Sequence, residues 1–254
     1  MKPVCLVLGA GAGIGGTVGA RFAEAGYHAV LCRRSDASGL DNLVQGIKGA
    51  GGEATGFLMN AVDPDSIEDR VKDVEANIGP IDTIVYNLGA QIGSRALKDT
   101  SYTAFERGWR MATFGLFRVA QAAFPAMLAR GRGNLLVTSA TAAVRGNQGQ
   151  HSHAAAMGGR RMLCQSLNAE CSAEGIHVAH IIIDGAVDAP DTLGKMLGPE
   201  RFQALREAKG MGQDGLMLPE KIAETYLHLA NQHRSVWTHE LDLRAFSDQA
   251  WWNH

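Results

Sequence analysis

Little in this sequence staples, anchors or strongly charges it. Only four cysteines occur among 254 residues, Cys5, Cys32, Cys164 and Cys171. They form no Cys-x-x-Cys pair and share no metal-ligand spacing. Neither a disulfide scaffold nor a metal site is expected, and buried reduced thiols of a cytoplasmic protein are. No apolar run approaches the roughly 18 residues of a membrane helix, so no membrane partner is expected. Lys2 and the apolar residues after it resemble a secretory leader in outline, but their glycine-rich continuation into an amphipathic helix fits a first strand. The net charge is −2 and there is no long basic run, which excludes an electrostatic nucleic-acid binder. Arg33-Arg34 and Arg160-Arg161 are scattered pairs that read first as solvated or subunit-facing surface. No repeat, low-complexity tract or linker divides the chain, so residues 1–254 read as one domain with a substantial core.

What is present is alternation. Short apolar runs at Val4–Leu8, His28–Cys32, 54–58, 83–86, 134–138, 178–183 and near 236–243 are separated by helical patterns. Those patterns lie around 14–25, 39–50, 64–78, 101–130, 152–174 and 220–231. This is the mark of an α/β fold, a doubly wound parallel sheet of about seven strands with helices on both faces. Phe105, Trp109, Leu116, Phe117, Ala120, Phe124 and Met127 recur at mostly helical spacing and are assigned to the core. The segment 185–219, rich in Gly, Met and Leu, reads as long and irregular. A stretch of that kind in a compact domain is commonly a lid, and its composition points to an apolar small-molecule ligand.

The first strand runs into Gly9-Ala10-Gly11-Ala12-Gly13-Ile14-Gly15-Gly16. Glycines at a strand-to-helix turn allow a tight bend and leave room for a pyrophosphate against the helix N-terminus, where free N–H groups favour negative charge. Two registers fit: Gly11, Gly13 and Gly16, or Gly9, Gly13 and Gly15. The second is preferred because it begins directly after the strand.

In that register the chain resembles the short-chain dehydrogenase/reductase family over nearly its whole length. Asn87-Leu88-Gly89 is similar to that family's Asn-Asn-Ala-Gly motif, with Tyr86 in the first Asn slot. The strand leading to Asp184-Gly185 is similar to one ending in Pro-Gly, with Asp184 in place of the proline. The resemblance implies a Rossmann domain that binds NAD(P) through Gly9, Gly13, Ile14, Gly15, Asn87 and Gly89, with Asn60 near the adenine. An acidic residue at the end of the second strand suits NAD(H), whereas cations there suit the extra phosphate of NADP(H). Arg33 and Arg34 occupy that end, so NADP(H) is preferred over NAD(H).

The resemblance also implies an Asn-Ser-Tyr-Lys catalytic set, and here all four slots differ. They hold Ala112, Ala140, His153 and Met157, with Ser139 one position before the serine slot. Met157 cannot supply a lysine's positive field, and the two alanines carry no polar side-chain atom. Arg160 or Arg161, three and four residues beyond Met157, could restore charge near the ribose, but an outward or subunit-facing position is preferred for both. His153 alone among the four can move a proton, and its reference pKa near 6.5 suits acid–base work; Ser139 is its candidate polar partner. Three readings follow: an oxidoreductase on a carbonyl or alcohol with His153 as the altered acid–base group, a catalytically silent nucleotide-binding protein, or a non-redox lyase or isomerase. Ala154-Ala155-Ala156 and Gly158-Gly159 give a small-residue helix face, and the resemblance implies a homodimer or homotetramer formed through this region.

Overall fold

The computed structural model describes residues 1–89, 94–210, 212 and 214–253. Seven parallel strands form one sheet in the order β3-β2-β1-β4-β5-β6-β7. They are β1 (Val4–Leu8), β2 (His28–Arg33), β3 (Glu53–Leu58), β4 (Ile81–Tyr86), β5 (Gly133–Ala140), β6 (Ile176–Asp184) and β7 (Glu240–Arg244). The order reverses at β1, so β1 has β2 on one side and β4 on the other. The crevice beyond the carboxyl ends of such neighbours is where doubly wound sheets bind ligands.

Both faces of the sheet are covered. On one face α1 (Ile14–Glu24), α2 (Ala37–Gly49) and α9 (Pro219–Ala230) bury Val18, Phe22, Leu40, Val44, Ile222 and Leu229 against β1, β2 and β5. On the other, α3 (Ser66–Asn77), α5 (Gly115–Arg130) and α6 (His151–Cys171) bury Ile67, Val71, Leu116, Val119, Met127 and Cys164. Two-sided burial explains why the strands read as continuous apolar runs. All four cysteines are buried and free.

Three sequence expectations need correction. First, Phe105, Trp109 and Phe117 are not core: they are exposed, whereas Leu116, Ala120, Phe124 and Met127 are buried. Second, the segment 185–219 is largely helical. A π turn at Pro190–Gly194, the single turn α7 (Lys195–Leu197) and α8 (Pro199–Lys209) fill it, with prolines opening two of these elements as good first-turn residues; positions 211 and 213 lie outside the described residues. Third, the helical run Tyr102–Arg130 is long and apolar enough to cross a membrane, although half of that apolar window is buried within the fold. That run is α4 (Tyr102–Trp109), a π turn at Arg110–Phe114, and α5. Within α5, buried Arg118 donates to both carboxylate oxygens of Glu68 and to the Ala61 carbonyl, tying α5 to α3.

At the far edge, Arg161 forks onto Glu240 of β7 and holds that carboxyl below the usual carboxylate range. His180 of β6 lies fully buried beside it, Nδ1 to Glu240 Oε2 at 3.0 Å. Burial outweighs the carboxylate and pushes His180 down to about 4. The unfolded chain therefore binds a proton here near pH 6.5 that the folded chain takes up only near pH 4. The stability this provides is complete above pH 6.5 and is lost as pH falls toward 4, by about 1.4 kcal/mol at pH 5.5. Urea midpoints at pH 7.5 and 5.5 are expected to differ less in His180→Asn than in the wild type. An equal pH slope in the two proteins would contradict this.

Candidate active site

The glycine turn is built on close backbone approach. Gly9 has φ +99°, and a Cβ there would lie 2.7 Å from the Asn87 carbonyl oxygen. A Cβ on Gly15 would lie 2.2 Å from the Gly9 carbonyl oxygen, and one on Gly13 3.1 Å from the Ala189 Cβ. Gly11, by contrast, has open space around it. The contacts favour the Gly9–Gly13–Gly15 register. Gly16 is also needed: a Cβ there would lie 2.6 Å from the Gly11 carbonyl oxygen and 3.0 Å from Leu43 of α2. Gly13 caps α1 without a side-chain bond, and no acidic residue lies in the first turn. Ile14 opens that helix, so an anion can meet its first N–H groups.

Asn87 fastens the turn rather than facing open space: its Nδ2 donates to the Gly9 carbonyl at 2.9 Å, and its backbone N–H to Leu8 at 2.8 Å. Gly89 is exposed, and a Cβ there would meet nothing within 4 Å among the described residues. Asn60 donates to Asp63 at 2.7 Å. At the end of β2, Arg33 meets Asp36 at 3.0 Å, while its Nη1 is buried with no hydrogen-bond partner among the described residues. Arg34 is exposed. Glycine-cradled and cationic features of this kind fit a dinucleotide.

Two of the four slots, Ala112 and Met157, lie in an apolar cluster. Ala112, Ala142, Ala156 and Met157 pack together with Ala143 against them. Met157 is buried, and the Ser139 hydroxyl turns onto its sulfur at 3.8 Å. Ala140 ends β5 beside Ile183. His153 lies half-buried in the first turn of α6, and neighbouring His151 bonds Thr100 at 2.8 Å. Gly159 faces Thr113, whose hydroxyl donates to the Ala156 carbonyl at 2.7 Å. This glycine thus serves contact within the chain, whereas Gly158 is open.

The residue that sequence reasoning missed is Arg160. Expected to point outward, it is instead fully buried and heads the largest such side chains among the described residues. Its guanidinium donates to three carbonyls: Ala112 at 3.1 Å, Leu88 at 2.6 Å, and Thr138. Its carbon lies 5.2 Å from the centre of the Tyr86 ring. Tyr86 in turn donates to the Met111 carbonyl, and a Cβ on Gly115 would strike the Tyr86 hydroxyl at 2.3 Å. The π turn, whose wider hydrogen-bond spacing is often found at functional sites, thus has two carbonyls held by side chains. The available signal was periodicity. Ala156, Met157, Arg160, Cys164 and Cys171 are the buried residues of one α6 stripe, and Arg160 sits on it at helical spacing.

Comparison with known proteins agrees with this geometry. A family profile described as short chain dehydrogenase matches residues 3–193. The 3-oxoacyl-(acyl-carrier-protein) reductase of Thermotoga maritima is 28% identical over 239 residues, covering 92% of this chain and 93% of that protein. A short-chain dehydrogenase from Rhodopseudomonas palustris superposes with a TM-score of 0.80 at 28% identity, covering 97% of this chain and 100% of its own. An alcohol dehydrogenase from Thermococcus sibiricus, complexed with 5-hydroxy-NADP, shares the fold with a TM-score of 0.81 at 22% identity, over 98% of this chain and 99% of its own.

The glycine contacts give a direct test. Gly11→Ala is expected to leave nucleotide affinity nearly unchanged. Gly15→Ala should weaken it by at least about tenfold, a cost of roughly 1.4 kcal/mol, as read by fluorescence titration. Equal losses in both variants would return the turn to the other register.

Proposed function

Because the chain belongs to the short-chain dehydrogenase family, we propose that it is an NADP(H)-preferring oxidoreductase that interconverts a small carbonyl compound and its alcohol, with His153 as its acid–base group. The observation that carries this reading is that His153 is the single proton-moving side chain in the four slots, which otherwise hold Ala112 and Met157, packed in one apolar cluster, and Ala140 at the end of β5. When bound, the cofactor supplies or accepts the hydride. The chain's own residues do the rest. The Gly9–Gly15 turn and the start of α1 receive the pyrophosphate, and Asn60 offers its amide to the adenine side. Arg34, with no carboxylate paired to it among the described residues, receives the 2′-phosphate with help from Arg33, whose charge is partly engaged by Asp36. In reduction His153 gives a proton to the carbonyl oxygen, and in oxidation it takes one from the hydroxyl. The alanine and methionine cluster keeps water away from that exchange, and Ser139 lies behind it against Met157. Ala189, beside Gly13, begins the segment that carries exposed Met196, in keeping with an apolar substrate.

The same apolar cluster favours a second reading, a nucleotide-binding protein without turnover. Nicotinamide absorbance across a panel of ketones, aldehydes and alcohols separates the two. Under the first reading at least one substrate turns over, and His153→Ala lowers the rate by about 10²–10⁴-fold with cofactor affinity retained. Arg34→Ala is expected to weaken NADPH about tenfold while sparing NADH, as an exposed phosphate contact should. Binding of NADPH with no turnover across the panel would favour the second reading. Product formed without net cofactor oxidation would point to lyase or isomerase chemistry.

We also propose a homo-oligomer. Tyr102, Phe105, Trp109, Phe114 and Phe117 are exposed along one helical run, with Trp109 and Phe114 stacked at 5.6 Å. A run of exposed aromatics of this size marks an interaction surface. Light scattering is expected to give a dimer or tetramer, and Phe117→Glu a smaller species. A wild-type monomer at micromolar concentration would refute this.

A further inference from the structure

Arg160 differs from the arginines of this chain that make forked hydrogen bonds. Arg118, Arg130 and Arg161 each fork onto a carboxylate, Glu68, Glu75 and Glu240 respectively. Arg160 is more deeply buried than any of them, yet its partners are carbonyl oxygens alone. Burial pulls its guanidinium below the ordinary arginine value, but arginine in a protein keeps its proton. A full positive charge therefore sits in the interior, opposed by dipoles and not by a counter-charge among the described residues.

Its location is specific. Leu88 follows the end of β4, Thr138 lies near the end of β5, and Ala112 belongs to the π turn before α5. All three carbonyls border the carboxyl edge of the sheet next to the switch point, where this class of fold takes its ligand. Arg160 also lies one turn beyond Met157 on the same buried stripe, and helical side chains lean toward the helix N-terminus. The charge is thus carried toward the level of Met157, beneath the crevice instead of within it. Away from water, its field is weakly screened and acts over more than one contact distance.

We propose that Arg160 supplies the crevice with the fixed positive charge that Met157 cannot, and that this charge biases the bound nicotinamide toward its reduced form. The reduced ring is neutral and the oxidised ring is cationic, so a buried cation nearby raises the energy of the oxidised complex selectively. Arg160 is a positioning and field-setting residue that touches neither reactant. The inference rests on the reading that the crevice binds a nicotinamide cofactor, and it adds a direction: the protein is poised as a reductase.

The test is a ratio of binding constants and needs no substrate. Dissociation constants for NADPH and NADP⁺ are measured by fluorescence and calorimetry for the wild type, Arg160→Lys and Arg160→Gln. Lysine keeps the charge, whereas glutamine keeps donors for the carbonyls without it. Arg160→Lys is expected to hold the NADP⁺/NADPH ratio within about twofold of wild type. Arg160→Gln should shift it toward NADP⁺ by about tenfold, the size of effect a single weakly screened charge exerts beyond contact distance. If Arg160→Gln does not fold, Arg160→Met, neutral and of comparable length, takes its place. A neutral variant that folds and keeps the wild-type ratio overturns the proposal, as does an equal shift in the lysine and neutral variants, which would mark a purely structural role. Binding of neither cofactor by the wild type would instead overturn the nucleotide reading itself, and with it this one.

Discussion

The structure depends on a place where three stretches of backbone touch with nothing between them. Gly9 at the end of β1, Gly15 in the first turn of α1 and Asn87 beyond β4 approach within the space of one missing Cβ. The Asn87 side chain closes the contact on the Gly9 carbonyl. This fixes the angle at which α1 leaves the sheet and the distance between β1 and β4 at the switch point. It also leaves the start of α1 without a side-chain cap, so the N–H groups that a capped helix would satisfy internally stay available to an anion. The tightest packing in the turn and its capacity to bind a phosphate have one cause.

Around that contact the departures from the family pattern are coupled rather than scattered. Tyr86 fills the first position of the Asn-Asn-Ala-Gly motif, and its hydroxyl reaches the π turn at Met111. Gly115 must lack a side chain for the hydroxyl to fit. Ala112 leaves its carbonyl to Arg160, whose guanidinium lies over the Tyr86 ring. Asp184, in place of proline, accepts the Trp251 backbone N–H at 3.1 Å and faces Arg244 at 3.4 Å, which fastens the last residues of the chain to the end of β6. Tyr86 and Asp184 thus each have hydrogen-bond partners where they stand.

The fold was legible because parallel strands buried on both faces announce themselves as apolar runs. Val4–Leu8 agrees residue for residue, and the glycine register could be chosen from where that strand ends. The four slots, Ala112, Ala140, His153 and Met157, were assigned from the family resemblance, and two of them, Ala112 and Met157, share one apolar cluster. Three things were not legible. Phe105, Trp109 and Phe117 lie at helical spacing, and an apolar stripe reads the same whether its own core or another surface covers it. The helices within 185–219 are short and poor in apolar periodicity. Arg160 and Arg161 are adjacent, and on a helix adjacent residues point about 100° apart, so one can be buried and the other at the edge. Charge suggested that both faced water; the stripe through Met157 and Cys164 held the contrary information.

The energetics of Arg160 argue that its charge has a use beyond structure. Three carbonyl acceptors at the ends of β4, β5 and the π turn need donors, and a neutral amide or hydroxyl can provide hydrogen bonds worth about 1 kcal/mol each. An ion brought into the same place carries in addition a desolvation penalty of several kcal/mol, which the carbonyl dipoles offset only in part. The charge is therefore the expensive component of the side chain and the one the packing does not require. The adjoining cluster of Ala112, Ala142, Ala156 and Met157 lowers the local dielectric response, which raises the penalty and equally extends the reach of the field. An apolar floor over a buried cation is a poor design for stability alone. It is a coherent one for holding a positive potential under a crevice whose lysine slot holds Met157.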